Sequence, residues 1–350
     1  MNNCKINTET LISVLSKMLD TKITHADYQT KDLEGGTIGD VLLVTGVADT
    51  ADGRTLPYNV VYKKTGKFER HNDPGSWRRE YDLYTSDFST VFTDSLRWPE
   101  CYYAETNEKE HHLWMEYIDV ADRLLDGELH SHAPWTTGLE MTPSMYVHAA
   151  EALGRFQGRL YAEQPSILQS LTNLSNTDYL KGFYMKYRIW PEVYDYIRSS
   201  DCQLPKELCK MLIEIDEHAD DIFLRVEKLP IVLCHRDFWV TNIFCASDKV
   251  VLIDWDTTGW SYLGEDIASL IADDADIIHM IENFKNCIPA YYEGFSEYVD
   301  VSYITDNCIY EIILLMYGYR TVEGYRFAET SAEKDLCLKT LQKIYELKGI

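Results

Sequence analysis

Two stretches determine how this chain folds: LCHRDFWVTN at residues 233–242 and VLIDWD at residues 251–256. They place an acid at Asp237, an amide at Asn242 and a second acid at Asp254. Phosphoryl transfer requires one carboxylate to accept the proton of the attacking hydroxyl. It also requires an amide oxygen and another carboxylate to hold the Mg²⁺ that bridges the nucleotide phosphates. The pattern predicts these roles for Asp237, Asn242 and Asp254 respectively.

The residues around this pattern predict a β-hairpin. Four residues separate Asp237 from Asn242, so a short loop can turn both side chains towards one cavity. Apolar residues 243–245 predict a strand, residues 247–249 a turn and residues 250–253 a returning strand. Such a hairpin would carry Asp254 back beside Asn242, and the two metal ligands would meet on one rigid support.

The pattern His-x-Asp-x-x-x-x-Asn followed by Ile-Asp-Trp-Asp resembles the aminoglycoside phosphotransferase and choline kinase superfamily of protein-kinase-like small-molecule kinases. The protein kinases are a weaker match, because they have Asp-Phe-Gly where this chain has Asp-Trp-Asp at 254–256, and no Ala-Pro-Glu follows. The alternative is a chance match in a hairpin of an unrelated enzyme, and the flanking strand pattern counts against it. The resemblance extends from about residue 26 to 327 but is specific only around residues 233–268.

The resemblance implies an α+β, bilobal protein-kinase-like fold. Residues 1–118 would form a small β-rich N-lobe that contains the nucleotide-binding strands and the hinge. Residues 119–350 would form a larger helical C-lobe that contains the catalytic loop and the substrate site. Residues 8–19 and 145–161 have the apolar spacing of helices within these lobes.

Two β-rich runs, residues 40–47 and 56–62, are joined through Asp52-Gly53, which predicts a hairpin. The second run leads into Lys63 and Lys64 and resembles the kinase strand whose lysine holds the α and β phosphates. If Val61 faces the nucleotide, Lys63 lies on the same face and Lys64 on the other. The alternative is that both lysines are solvated residues at the end of a strand.

The resemblance implies further nucleotide-binding residues. Glu80, at the start of a helical pattern, would pair with Lys63, although an ordinary exposed glutamate is the alternative. Gly36 and Gly39 would let backbone amides approach phosphates closely. The apolar run that ends at residues Glu116, Tyr117 and Ile118 would form the hinge for adenine, a role compatible with its being a core strand.

Composition limits the possible class and location of the protein. The chain has 350 residues with 45% hydrophobic content, which can bury a sizeable core. No apolar run of about 18 residues exists to span a membrane, and no secretory signal is recognisable at the N-terminus. Nine cysteines form no Cys-x-x-Cys pair, which indicates reduced thiols and a cytoplasmic location.

The net charge is −24, from 33 basic and 57 acidic side chains. Such a surface repels nucleic acid and anionic membranes and attracts cations. Residues 264–300 contain nine acids against the single Lys285. The resemblance implies that acids on helices just after the Ile-Asp-Trp segment help to receive an aminated substrate, and a solvated acidic face is the alternative. The candidates are Asp256, Glu265, Asp273 and Asp274.

Aromatic residues are dense at 179–196 and 310–327, where ring faces could hold a cation, although such stripes are usually core. Near the catalytic pattern, His235 is expected to brace the loop. Asp266, in a segment that resembles the family's Gly-x-x-Asp-Leu-Ala, is expected to steady it.

These observations predict a Mg²⁺-dependent kinase that transfers the γ-phosphoryl of ATP or GTP to a hydroxyl of a small cationic molecule. The acceptor would be an aminoglycoside-like antibiotic or an aminated metabolite. The alternatives are a choline or ethanolamine kinase and, in another class, a pseudokinase that binds nucleotide without chemistry. No nucleic acid, membrane or obligate protein partner is expected.

Overall fold

The protein is described by a computed structural model. The described residues are 6–33, 39–68, 70, 73, 75–118, 142–176, 178–188, 191–246, 249–273, 277–302, 304 and 308–350. The chain divides into two compact units, Met1–Ser89 with Trp98–Asp119, and Thr90–Arg97 with Val120–Ile350. The first is rich in strands and the second in helices, which confirms the α+β class. The predicted boundary at residue 118 stays a prediction, because residues 119–141 lie outside the described part.

The strands in chain order are β1 (Ile23–Asp32), β2 (Asp40–Thr50), β3 (Thr55–Gly66), β4 (Leu96–Arg97), β5 (Cys101–Thr106), β6 (Glu110–Glu116), β7 (Ile231–Cys234), β8 (Ile243–Ala246), β9 (Lys249–Leu252) and β10 (Gly259–Tyr262). The helices are α1 (Thr8–Met18), α2 (Arg79–Tyr84), α3 (Pro143–Glu163), α4 (Ile167–Ser170), α5 (Tyr179–Arg188), α6 (Pro191–Tyr194), α7 (Lys206–Glu217), α8 (Ala219–Val226), α9 (Glu265–Ala272), α10 (Met280–Ser296), α11 (Ile309–Ile313), α12 (Tyr319–Phe327) and α13 (Ser331–Leu347).

The first unit is built on a five-stranded antiparallel sheet with the order β1-β2-β3-β6-β5. The predicted hairpin between β2 and β3 is confirmed, and Gly53 turns it with a φ of 86°. The predicted first helix is confirmed as α1, which Asn7 caps by accepting hydrogen bonds from the amides of Glu9 and Thr10. Its apolar face packs into the core of this sheet.

Helices α3 and α10 pack extensively against each other in the second unit. They approach closely because glycines face backbone: a Cβ on Gly154 would lie 2.1 Å from the Tyr291 carbonyl oxygen, and one on Gly294 would lie 2.2 Å from the Glu151 carbonyl oxygen. The predicted helix over residues 145–161 is confirmed within α3. Two small sheets complete this unit, β10-β7 and β4-β9-β8.

A π-helical turn, Leu314–Gly318, lies between α11 and α12. Such turns are rare and often occur at functional sites, because they shift the side chains that follow relative to a regular helix. Here the turn contains Tyr317, and Arg320 follows it in α12. In the described part of the chain, no helix has both the length and the apolar character needed to cross a bilayer.

Candidate active site

The predicted catalytic loop, residues 235–242, follows β7 and ends in a 3₁₀ turn at Val240–Asn242. The Asn242 amide nitrogen donates to the Asp237 carboxylate over 2.7 Å and to the Asp237 carbonyl oxygen over 2.9 Å. These two bonds fix the side chains relative to each other across the four intervening residues. The predicted convergence of Asp237 and Asn242 is therefore present.

The predicted hairpin after this loop is confirmed, because β8 and β9 pair antiparallel with Ile243 opposite Leu252. Residues 247 and 248 of the predicted turn lie outside the described part. The Ile253 amide donates to the Asn242 carbonyl oxygen over 3.0 Å, so the chain returns directly beside Asn242. Asp254 follows with φ 64° and ψ 63°, a left-handed conformation that aspartate tolerates better than most residues.

Asp237 lies in a strongly negative environment. Burial, followed by the Asp254 and Asp273 carboxylates, raises the pKa of Asp237 to about 7, and Asp256 adds a smaller effect in the same direction. The hydrogen bond from Asn242 opposes this shift. A carboxyl with a pKa near neutrality is suited to accept a proton from a hydroxyl.

Asn242 and Asp254 fit a magnesium site by their chemistry. The Asn242 nitrogen donates to Asp237, so the amide oxygen is the atom available to a cation, and Mg²⁺ prefers such oxygen ligands. The crowding of carboxylates around Asp237 would be relieved by a divalent cation. Among the described residues no three His, Cys, Asp or Glu side chains converge as a metal site. Phosphate oxygens and waters usually complete the coordination of Mg²⁺ in nucleotide-binding sites.

Asp266, at the start of α9, holds the beginning of the catalytic loop. Its carboxylate accepts hydrogen bonds from the amides of His235 over 2.9 Å and Arg236 over 2.8 Å. It also accepts from the Gln157 amide nitrogen, which donates in addition to the Leu233 carbonyl oxygen. Burial raises the pKa of Asp266 to about 6, and the two loop amides oppose that shift. The expectation that Asp266 steadies the loop is confirmed.

No sequence pattern predicts this role for Gln157. It lies on α3, 109 positions before Asp266, and nothing in a helical pattern distinguishes a buried glutamine that will bind a loop. His235, which was expected to brace the loop, packs edge-on against Trp255, with ring centroids 4.8 Å apart. Its carbonyl oxygen accepts from the Thr257 hydroxyl over 2.7 Å.

Arg236 is a structural residue of the same loop. Its φ of 68° is left-handed, and its guanidinium donates to the Ser261 hydroxyl and the Trp260 carbonyl oxygen. The guanidinium also lies over the Tyr179 ring, 4.9 Å from its centroid. A Cβ on Gly259 would lie 2.5 Å from the Ser175 carbonyl oxygen and 2.7 Å from the guanidinium carbon, so glycine leaves room for both groups.

Tyr179, at the start of α5, brings that helix to the catalytic loop. Its hydroxyl donates to the Arg236 carbonyl oxygen over 3.0 Å. Burial and then the Asp237 carboxylate raise the pKa of Tyr179 above its usual range. The aromatic series continues along α5, with Phe183 5.7 Å from Tyr179 and Tyr187 5.1 Å from Phe183, measured between ring centroids.

Asp273 is the candidate substrate residue with the clearest contacts. Arg320 donates to its carboxylate over 2.9 Å, and the Tyr317 hydroxyl donates over 3.4 Å. The Arg320 guanidinium also lies over the rings of Phe183 and Tyr317. Tyr317 of the π-helical turn and Arg320, just after the turn, thus both contact Asp273. The Asp273 carboxylate in turn helps to raise the pKa of Asp237.

The other candidate substrate acids differ in position. Glu265 is only 2% exposed, and its carboxylate accepts a hydrogen bond from the Tyr262 amide over 3.2 Å. Its burial and this hydrogen bond favour a structural role. Asp256 is half-buried in the 3₁₀ turn after Asp254. Asp274 lies outside the described residues. The substrate roles of these acids stay predictions.

In the first unit, Lys63 and Glu80 form a buried ion pair. The Lys63 ammonium nitrogen lies 2.6 Å from a Glu80 carboxylate oxygen, with the two side chains 12% and 3% exposed. Lys64 instead pairs with Glu110 over 2.9 Å. The predicted choice of Lys63 as the partner of Glu80 is confirmed, and the role of the pair in binding phosphates stays a prediction.

The remaining nucleotide-binding candidates lie in or beside the sheet. Gly39 has a φ of 96°, and its Cβ would lie 2.2 Å from the Lys64 carbonyl oxygen, which is a structural reason for glycine there. Glu116 ends β6 and accepts from the Glu100 amide, Tyr117 is half-buried, and Ile118 is buried. Gly36 lies outside the described residues. The phosphate and hinge roles stay predictions.

The loop after β7, the β8–β9 hairpin and the Lys63–Glu80 pair fit a small-molecule kinase, and comparison with a protein family shows that the protein is one. The sequence profile of the phosphotransferase enzyme family (APH) matches residues 95–294, more than half of the chain. The chain therefore belongs to this phosphotransferase family. No curated protein sequence matches the chain significantly.

Solved structures share the protein-kinase-like fold at low sequence identity. The choline kinase of Cryptosporidium parvum Iowa II is 16% identical with a TM-score of 0.52, over 92% of this chain and 90% of that one. Amicoumacin kinase hAmiN, in complex with AMP-PNP, Ca²⁺ and Ami, is 11% identical with a TM-score of 0.55, over 97% and 94%. The microcompartment-associated aminopropanol kinase is 9% identical with a TM-score of 0.55, over 97% and 96%.

Proposed function

We propose that this protein transfers the γ-phosphoryl group of ATP or GTP to a hydroxyl of a small amine-bearing molecule. The observation that carries the proposal is the bonding of Asn242 to Asp237, with Asp254 returned beside Asn242 by the β8–β9 hairpin. This arrangement supplies a proton acceptor and two oxygen ligands on adjacent backbone segments, as in-line phosphoryl transfer needs.

In the proposed reaction, Asp237 orients the acceptor hydroxyl and accepts its proton as the oxygen attacks the γ-phosphorus. The new O–P bond forms as the bond between the γ-phosphorus and the β–γ bridging oxygen breaks, and the nucleoside diphosphate leaves. Asn242 and Asp254 would hold Mg²⁺, which would supply positive charge to neutralise the nucleotide phosphates. Asp266 and Gln157 hold the loop in place from behind, so that Asp237 needs little rearrangement to reach the hydroxyl. Burial of these polar contacts supports a preformed site.

For the donor, Lys63 is proposed to bind the α and β phosphates, with Glu80 fixing its reach. Their separation of 2.6 Å in a nearly buried environment supports a fixed rather than a mobile lysine. Gly36 and Gly39 are proposed to approach the phosphates, and residues 116–118 to bind adenine. An ATP analogue is bound in the related amicoumacin kinase, which supports ATP as the first donor to test.

For the acceptor, we favour an aminoglycoside-like antibiotic or an aminated metabolite. The acidic excess of the chain supports a cation. Asp256 and Asp273 act electrostatically on Asp237, so a protonated amine bound by either acid would lie near the proposed base. Glu265 and Asp274 are retained as weaker candidates for this contact.

Choline or ethanolamine kinase activity is the second candidate. The observation that favours it is the series of ring contacts from Tyr179 through Phe183 to Tyr187, because ring faces bind quaternary ammonium groups. Against it, the Arg320 guanidinium already covers Phe183 and Tyr317. A related structure is named as a choline kinase, so choline belongs in the first screen.

The decisive experiment is a mass-spectrometric search for phosphoryl gain across pooled aminoglycosides, amino alcohols, choline and neutral sugars, with ATP or GTP and Mg²⁺. Asp237→Asn keeps the size of the side chain and is expected to abolish the product. Asp220→Asn, which changes an exposed acid on α8, is the matched control and should leave turnover unchanged.

Each outcome separates the candidates. A phosphorylated amine that Asp237→Asn does not form supports the proposal, and phosphocholine as the main product supports the second candidate. If Asp237→Asn retained full turnover, the proposed base would be wrong. If only neutral sugars were phosphorylated, the amine-bearing acceptor would be wrong.

A further inference from the structure

Cys202 and Cys209 form a close thiol pair in the second unit. Their Sγ atoms lie 3.4 Å apart, which is van der Waals contact between sulfurs. Cys202 lies in the loop before α7, and Cys209 lies in the first turns of that helix, where its thiol also contacts the Leu204 carbonyl oxygen. A disulfide between them would need only a small approach of two side chains that already face each other.

The two thiols differ in accessibility. Cys202 is partly exposed, and its neighbours Asp201 and Gln203 line an open groove of about 430 Å³, so small solutes can reach this loop. Cys209 is buried, and burial raises the pKa of its thiol to about 12. An oxidant from solvent would therefore meet Cys202 first, with Cys209 held in contact behind it.

We propose that Cys202 and Cys209 are a reversible oxidation site, at which hydrogen peroxide converts the two thiols into an intramolecular disulfide that staples the start of α7. In the first step the Cys202 sulfur attacks one peroxide oxygen, an S–O bond forms and the O–O bond breaks, and the leaving hydroxide takes up the Cys202 thiol proton and departs as water. In the second step the Cys209 sulfur attacks the resulting sulfenic acid, the S–S bond forms and the S–O bond breaks. The Cys209 proton leaves with the hydroxide as water, so two thiols lose two hydrogen atoms to one peroxide.

The disulfide would constrain the start of α7, a helix whose other end is already held by side-chain hydrogen bonds. Asp216, near the end of α7, accepts hydrogen bonds from Arg198 over 2.9 Å and from the Tyr184 hydroxyl over 2.7 Å. Arg198 belongs to the segment just before the Cys202 loop, where the Tyr196 hydroxyl accepts from the Gln203 amide. The disulfide would therefore close a short loop, and local opening at the start of α7 should become rarer.

The test treats the whole reduced protein with hydrogen peroxide and maps its peptides without reduction. We expect a Cys202–Cys209 link that dithiothreitol removes. Cys209→Ser should leave a sulfenic acid on Cys202 that dimedone traps, and Cys202→Ser should form no link. Cys337→Ser, which changes another partly exposed cysteine, is the matched control and should retain the link.

Amide hydrogen exchange then tests whether the disulfide makes local opening at the start of α7 rarer. Oxidation should slow amide exchange in residues 199–209 by about tenfold or more, and dithiothreitol should reverse it. Oxidation of Cys202 to sulfinic acid with Cys209 still a thiol would overturn the proposal, as would a link from Cys202 to a different cysteine. If amide exchange in residues 199–209 were unchanged in the disulfide-linked protein, the proposed stabilisation of the start of α7 would be wrong. Cys202→Ser alters a loop residue, so it remains informative if Cys209→Ser does not fold.

Discussion

Lys63 and Lys64 are adjacent in sequence but differ in environment, because successive side chains of a strand point to opposite faces of the sheet. Lys63 is nearly buried against Glu80, whereas Lys64 and Glu110 are each 31% exposed. If Lys63 binds phosphates, Lys63→Ala should lower kcat/KM for ATP by about a hundredfold or more. Lys64→Ala removes the same charge from the other face and should change it by about twofold or less.

The measurement is initial-rate kinetics at varied ATP with a saturating acceptor. Glu80→Gln should reproduce part of the Lys63→Ala defect, because the lysine would lose the acid that fixes its reach. Equal defects in the two lysine variants would mean that loss of positive charge, and not a specific phosphate contact, explains the result.

Glu265 makes a residue-level prediction about pH. Burial raises the pKa of Glu265 from 4.5 to about 8, with Arg236 and the Tyr262 amide opposing the shift. Between those pH values the folded state binds more protons than the unfolded state, so this residue makes stability fall as pH rises towards 8. Glu265→Gln, which cannot ionise, should therefore gain stability relative to the natural protein as pH increases from about 5 to about 9, by a few kcal/mol.

Urea unfolding of both proteins across this pH range measures the difference in free energy, so that other titrating groups cancel. The difference should be flat above pH 9 and should change mainly between pH 5 and pH 8. A difference that is independent of pH would show that Glu265 is ionised in the folded protein throughout the range.

At the scale of elements, local sequence patterns predicted the hairpins, because their formation depends on residues that are close in sequence. The apolar runs around residues 243–253 predicted the β8–β9 hairpin, and Asp52-Gly53 predicted the β2–β3 hairpin, because turn residues and strand propensity act locally. Alternation along β3 was enough to choose Lys63 over Lys64 as the partner of Glu80.

Contacts between distant elements could not be predicted in this way. Arg320 and Asp273 are 47 positions apart, and their pairing depends on the π-helical turn that precedes α12. Gln157 reaches Asp266 only because α3 packs beside β7 and α9. A single sequence contains no record of which buried polar groups will meet, since many arrangements satisfy the same local pattern.

The packing of α3 on α10 leads to a prediction about glycine. A methyl group at Gly154 would clash with the Tyr291 carbonyl oxygen at 2.1 Å, whereas one at Gly182, an exposed position in α5, would meet nothing within 4 Å. Gly154→Ala should therefore destabilise the protein by about 1–3 kcal/mol, because the helices must separate. Gly182→Ala should stabilise it by about 0.5–1 kcal/mol, because alanine restricts the unfolded chain and favours helix.

The midpoint of urea-induced unfolding, followed by circular dichroism, compares these two variants with the natural protein. Both changes add one methyl group to a helical glycine, so helix propensity alone would raise both midpoints. A raised midpoint for Gly154→Ala would mean that α3 and α10 are not held at the close approach that the glycines permit.

At the scale of the whole molecule, the net charge of −24 is the dominant property. Such a field extends over about one Debye length, roughly 8 Å at physiological ionic strength, and salt screens it. It favours the approach of protonated amines and opposes that of nucleotide phosphates. The two substrates of the proposed reaction should therefore respond to salt in opposite directions.

For an amine-bearing acceptor, kcat/KM should fall several-fold as KCl rises from about 0.05 M to about 0.5 M at fixed Mg²⁺, because the attraction that brings the acceptor to the protein is screened. Over the same range the KM for ATP should decrease, because the repulsion between the acidic protein and the nucleotide phosphates is screened. A neutral hydroxyl compound that is also phosphorylated serves as the matched control, since its kcat/KM has no long-range electrostatic component. If the amine and the neutral acceptor lost activity equally, salt would be acting on the enzyme itself. The acidic surface would then serve solubility rather than selection of the acceptor.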